Sequence, residues 1–186
     1  MFARYLLKHQ EAMDSLSRVE ATFNDAINTA VRSISRGGKL IFAGNGGSAA
    51  DAQHLAAEFV GRFVEDREPI AAIAITTDSS ALTCISNDYG YSDIFVRQIL
   101  ALGQEDDTLF CISTSGNSEN LIRAAVAAKE RGVSVIGLLG RDGGKIKSLC
   151  DLSLVVGSSD TASIQEAHIF LGHVLCAEVE SRLEML

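Results

Sequence analysis

His54 and Glu58 stand four residues apart in a stretch of helical character, Ser48 to Glu58. On a helix an i,i+4 pair shares one face about one turn apart, so an imidazole and a carboxylate converge there. Such a pair can pass protons or help hold a divalent metal, although alone it also occurs as a plain solvated helix pair. Immediately upstream, the apolar run Lys39 to Ala43 leads into Gly44-Asn45-Gly46-Gly47-Ser48. This reads as strand, glycine turn and helix. Glycine lets the backbone turn sharply and approach a ligand, Ser48 can cap the helix, and the first amides with the positive dipole end attract an anion. A second segment of this kind is Ser113-Thr114-Ser115-Gly116-Asn117-Ser118. Hydroxyls and free amides at a helix start can satisfy a phosphate without lysine or arginine. Either segment alone could be an ordinary turn or N-cap, but two of them, each at the end of a strand-like run, point to a small phosphorylated ligand.

The elements that must position these groups follow from periodicity. Apolar residues at helical spacing between Met1 and Arg36 (Leu16, Val19, Phe23, Ile27, Ala30, Val31, Ile34) predict one helix or two, stopped by Gly37-Gly38. Apolar runs at Ala71 to Ile75, Thr108 to Ile112, Ser134 to Leu139 and Leu152 to Val156 join Lys39 to Ala43 as predicted strands. Helical patterns lie between them: one up to Leu102, one over Asn117 to Arg131, and a last one over about Thr161 to Leu183. Near-continuous apolar strands alternating with helices call for a doubly wound five-stranded parallel sheet, an α/β fold of flavodoxin-like type with helices on both faces. In such sheets ligands gather at the carboxyl ends of the strands where the winding reverses. We expect a single domain over 1–186, with 1–36 as an N-terminal amphipathic helical segment for oligomerisation and 37–186 as the sandwich.

Composition narrows the partners. A length of 186 residues with 47% hydrophobic composition supports a sizeable core. A net charge of −8 without a basic stripe gives no footing for an extended nucleic-acid surface. Cys84, Cys111, Cys150 and Cys176 lie singly, no run has the length of a membrane span, and the charged amphipathic start does not read as a signal peptide. The expectation is a cytoplasmic protein with reduced thiols, bound to neither membrane nor nucleic acid.

The chain resembles the SIS (sugar isomerase) domain family over nearly its whole length and, within it, the bacterial sedoheptulose 7-phosphate isomerases. The resemblance rests on Gly44 to Ser48 running to His54-Leu55-Ala56-Ala57-Glu58, on Thr77-Asp78 and Asn87-Asp88-Tyr89-Gly90, on Ser113 to Ser118, and on Ile164-Gln165-Glu166-Ala167-His168 running to His173. It implies an aldose–ketose isomerase that makes D-glycero-D-manno-heptose 7-phosphate from D-sedoheptulose 7-phosphate, at the start of nucleotide-activated heptose synthesis for lipopolysaccharide or another surface glycan. The resemblance assigns substrate contacts to Asn45, Gly46, Gly47, Ser48, Glu58, Asn87, Asp88, Ser113, Thr114, Ser115, Ser118 and Gln165. It assigns one Zn2+ per subunit to His54, Glu58, Gln165 and His173, with Glu58 and His173 catalytic. It also implies a homotetramer with active sites at or near subunit interfaces.

Proton transfer between C1 and C2 through an enediol needs a base and an acid. A partly buried carboxylate suits the base and an imidazole the acid, which fits Glu58 and His173. Gln165 and His173 lie about 12 Å apart along a straight helix, so both reach one metal only by long side-chain reach, helix distortion or ligands from neighbouring subunits. His168, one turn from Gln165, competes as a ligand, but the family pattern points to His173, which leaves His168 to pack or to support a ligand from behind. Two other functions fit the fold: a non-catalytic SIS adaptor that binds the bacterial replication initiator, and a sugar-phosphate sensor. Neither requires an acid–base pair, and the adaptors lack the Glu58 carboxylate and the His173 imidazole.

Overall fold

Strands that are apolar on both sides must be covered on both sides, and the chain does this with one central sheet. The computed structural model describes residues 1–185 and builds the sheet from β1 (Leu40–Gly44), β2 (Ala72–Ala74), β3 (Thr108–Ser113), β4 (Ser134–Gly140) and β5 (Leu152–Val156). Every neighbouring pair is parallel and the order is β2-β1-β3-β4-β5. The winding therefore reverses between β1 and β3. Their carboxyl ends carry the Gly44–Ser48 and Ser113–Ser118 segments.

Successive strand residues point to opposite faces, which divides the core in two. On one face Phe42 of β1 stacks on Phe110 of β3 and on Phe59, with ring centroids 5.0 and 6.0 Å apart, beneath α2 (Glu20–Ser35), α3 (Gly47–Val60) and α7 (Thr161–Glu184). On the other, Ile41 and Leu109 pack under α4 (Ser79–Asp88), α5 (Val96–Leu102) and α6 (Glu119–Glu130).

The N-terminal segment resolves into two helices, α1 (Phe2–Asp14) and α2, separated by a short 3-10 turn over Ser15–Arg18. Ser15 explains the break: its buried hydroxyl donates to the Ala12 carbonyl at 2.6 Å and accepts from the Gly157 amide at 3.0 Å, which pins the chain to the end of β5. From there α1 runs along α7, tied by Lys8 to Asp160 at 2.6 Å and by His9 to Glu166 at 2.8 Å. The helical region predicted up to Leu102 is divided as well. Gly90 adopts φ 97°, a conformation that ends α4, and α5 starts six residues later.

Candidate active site

The first anion cradle starts where β1 ends. Gly46 takes φ 57° and is itself the N-cap of α3, with its carbonyl accepting from the Ala49 and Ala50 amides. Ser48 is not the cap expected from the sequence, because the helix already begins at Gly47 and Ser48 sits buried in its first turn. Gly47 has a separate reason to lack a side chain: a Cβ there would overlap the Gln165 amide, which α7 presses against the cradle. Gly172 meets the Leu55 side chain in the same way, without room for a Cβ. The contacts 47 with 165 and 54 with 173 show α3 and α7 running in the same direction, side by side.

The second cradle follows β3. Ser113 Oγ accepts from the Gly116 amide at 3.1 Å and Ser115 Oγ from the Asn117 amide at 3.2 Å, folding the hydroxyls into a tight turn. Gly116 has φ 63°, and a Cβ on it would run into the Gly143 carbonyl, so the loop after β4 supports this turn from outside. The Lys145 amide adds a bond to Asn117 Oδ1 at 3.1 Å. Ser118 is the N-cap of α6 by backbone geometry, yet its hydroxyl makes no capping bond, which leaves it available to an anion.

Farther along α3 and α7 lie the groups able to move protons. His54 Nε2 is 3.1 Å from Glu58 Oε1 and 3.0 Å from His173 Nε2. The two turns of α7 that separate Gln165 from His173 match the rise of α3 from Gly47 to His54. Within one chain Gln165 therefore sits at the glycine turn after β1, and about 10 Å of helix rise separates the levels of Gly47 and His54. His168 is fully buried, the nearby Leu139 backbone falls short of a well-formed hydrogen bond to its ring, and burial holds its pKa down at about 4. It is a neutral packing residue, one of the two roles the family pattern left it.

Four contributors around these groups were not legible as functional from the sequence. Phe63 stacks on His173 at 5.4 Å and 18°. Its loop is held by Glu180 of α7, whose carboxylate accepts from the Phe63 and Val64 amides at 2.9 and 3.1 Å and pairs with Arg67 at 2.6 Å. Burial pushes the Glu180 carboxyl up, but the two amides and the Arg67 guanidinium outweigh it and the net shift is downward. Arg67 also donates to the Glu58 carbonyl at 3.0 Å, fixing the turn that carries the carboxylate. Asp51, one turn before His54, keeps one buried carboxylate oxygen without a partner; burial raises its pKa and the His54 imidazole opposes the rise. An i,i+3 spacing to His54 was its only sequence signal.

A cavity of about 250 Å³ opens beside the first cradle, lined among others by Asn45, Gly46, Thr76, Ser86 and Tyr91. Asn87 and Asp88 lie just beyond, exposed at the last turn of α4 and bonded to each other at 2.7 Å; no hydrogen bond links them to the cradle. A larger groove of about 590 Å³ lies at the opposite, amino ends of the strands and contains none of the predicted site residues.

Comparison with known proteins agrees with this geometry. The family model described as SIS domain matches residues 4–140. A phosphoheptose isomerase of Campylobacter concisus is 49% identical over 180 residues, covering 97% of this chain and 95% of the relative. One from Nitratiruptor is 49% identical over 176 residues, 94% of each chain. Among solved structures, phosphoheptose isomerase GmhA from Neisseria gonorrhoeae superposes with a TM-score of 0.90 at 43% identity, covering 96% of both chains. The chain belongs to the SIS domain family and, within it, groups with the phosphoheptose isomerases.

Proposed function

We propose that the protein is an aldose–ketose isomerase that converts D-sedoheptulose 7-phosphate to D-glycero-D-manno-heptose 7-phosphate. The observation that carries this reading is the cluster at His54, with Glu58 at 3.1 Å and His173 at 3.0 Å, on the helix that starts at the glycine turn after β1, beside the sheet's switch point. Glu58 takes the proton from C1 and returns it at C2, and His173 serves the proton exchange between the two oxygens. The Ser113–Ser118 turn holds the phosphate, and Asn45, Gly46, Gly47, Ser48 and Gln165 hold the sugar chain, with Asn87 and Asp88 at the rim. A non-catalytic adaptor has no use for this acid–base arrangement, and the relatives give it no support. Ser118→Ala tests the phosphate assignment: sugar-phosphate binding should weaken by about 1–3 kcal/mol in calorimetry while kcat changes little. Unchanged affinity would place the phosphate elsewhere.

Zinc fits the donors. Two imidazole nitrogens and a carboxylate oxygen, without thiolates, form the set typical of a catalytic rather than a structural ion, and the His173 and Glu58 donors stand 3.0 and 3.1 Å from His54 Nε2. Among the described residues no group of three His, Cys, Asp or Glu is already arranged to hold a metal ion, so His54, Glu58 and His173 would have to shift to close around one. A ligand role for Gln165 at the same ion calls on the neighbouring subunit's copy. When bound, zinc supplies Lewis-acid polarisation of the sugar carbonyl. Because one carboxylate is a poor simultaneous ligand and base, Glu58 would hold such an ion only loosely if it also serves as the base. Elemental analysis should find about one zinc per subunit and a strong chelator should lower turnover; full activity in metal-stripped protein would remove zinc from the account.

The working form is a homotetramer. Phe2, Tyr5, Leu6 and Leu7 of α1 are exposed, with Phe2 at 79%, an apolar surface suited to subunit packing. Light scattering should return four times the 19.8 kDa chain mass; a stable monomer at micromolar concentration would overturn this. We place the protein in the cytoplasm, where its four free cysteines stay reduced.

A further inference from the structure

Three polar side chains bridge the switch point and take no part in the proton transfers or in phosphate binding as described above. The amides of Asn45 and Asn120 pair reciprocally: Asn45 Nδ2 donates to Asn120 Oδ1 at 3.0 Å, and Asn120 Nδ2 donates to Asn45 Oδ1 at 2.8 Å. The Tyr91 hydroxyl donates to the same Asn45 Oδ1 at 2.8 Å. Asn120 is 2% exposed in the first turn of α6, directly after the Ser113–Ser118 turn, whereas Asn45 directly follows β1. Tyr91 comes from the short turn after α4, and with Asn45 it lines the cavity of about 250 Å³.

An amide oxygen has two lone pairs and an amide nitrogen two hydrogens. At Asn45 both lone pairs are engaged, and one N–H is left over. Asn45 can therefore only donate to a ligand in the cavity, which matches an oxygen that only accepts, as a carbonyl or a developing enediolate oxygen does. The same pair joins the loop after β1 to the helix start after β3, which fixes the spacing between the two anion cradles.

We infer that Asn120 and Tyr91 are positioning residues that hold Asn45 as a fixed hydrogen-bond donor to an accepting oxygen of the bound sugar. The inference rests on the isomerase reading for the identity of the ligand and on the amide geometry for everything else.

A double-mutant cycle separates positioning from general support. Asn45→Ala should lower kcat/KM for sedoheptulose 7-phosphate by about tenfold or more, the cost of a lost hydrogen bond. Asn120→Ala should cost a similar factor, mainly in kcat, and the double variant should lose no more than about twofold beyond Asn45→Ala alone. Additive losses would show that Asn120 does not act through Asn45 and would overturn the inference. Because Asn120 is buried and its variant could fail to fold, Tyr91→Phe provides a second arm, removing only a hydroxyl from an exposed ring. It should cost about fivefold in the wild-type background and nothing in Asn45→Ala; an equal cost in both would overturn the inference.

A third readout needs no substrate. The side-chain amide signals of Asn45, identified in nitrogen–proton correlation spectra by their loss in Asn45→Ala, should move in Tyr91→Phe. Unmoved signals would contradict the hydrogen-bond arrangement itself. If the signals move but the wild-type protein never turns over the ketose, the isomerase reading fails and the arrangement stands. If turnover is normal and the cycle additive, the isomerase reading stands and the positioning role fails.

Discussion

Glu58→Gln should abolish isomerisation while leaving the sugar phosphate bound. The amide keeps the shape of the side chain but cannot take a proton from carbon, and loss of a general base costs about 10²–10⁴ in rate. Affinity should stay within about tenfold, because the phosphate is held by the Ser113–Ser118 turn after a different strand. Glu58 is also a proposed zinc donor, so metal content must be measured on the variant. A zinc-replete, inactive Glu58→Gln assigns the loss to proton transfer, whereas normal turnover would remove Glu58 from the chemistry.

The largest loss of stability should come from a residue with no chemical role. Glu180 is 2% exposed, and its carboxylate gathers the Phe63 and Val64 amides and the Arg67 guanidinium. Glu180→Ala leaves a nearly buried guanidinium and two amides without their acceptor, and breaking such a buried pair from one side costs about 3–5 kcal/mol. Denaturant unfolding should show this loss, and kcat should fall with it, because the Phe63 ring loses the anchor that holds it on His173 and Arg67 loses the partner that steadies it at the Glu58 carbonyl. A loss below about 1 kcal/mol would mean that the loop holds without the pair. The pH dependence has a definite sign. The folded-state pKa of Glu180 lies below its ordinary value, so its contribution is fully present above the ordinary carboxylate range and disappears as the pH falls through the lowered value. Acid should therefore destabilise the wild-type protein more than Glu180→Ala over that interval.

Where information is local, the sequence carried it. β5 and α7 lie where the apolar run over Leu152 to Val156 and the helical pattern from about Thr161 put them, and the structure adds the Asp160 carboxylate as the cap of α7, accepting from the Ser163 amide at 3.2 Å. The His54–Glu58 pair is legible because four residues make one turn. The expected capping role of Ser48 was incorrect because Gly46, at a positive φ, caps the helix two residues earlier. The helical pattern up to Leu102 concealed the break at Gly90, since apolar residues on both sides continue the period. What the sequence could not convey was partnership at a distance. Arg67 meets Glu180 across 113 residues and Asn45 meets Asn120 across 75, and neither periodicity nor composition encodes such pairs. The relation between Gln165 and His173 had the same cause: only the parallel run of α7 beside α3 sets the first against Gly47 and the second against His54.

The most direct test of the central claim is to incubate purified, zinc-loaded protein with sedoheptulose 7-phosphate and follow the sugar by proton NMR. The account predicts that the anomeric signals of an aldoheptose 7-phosphate appear at a rate proportional to enzyme, and that they fail to appear with zinc-replete Glu58→Gln. A folded, zinc-loaded wild-type protein that leaves the ketose unchanged would contradict it.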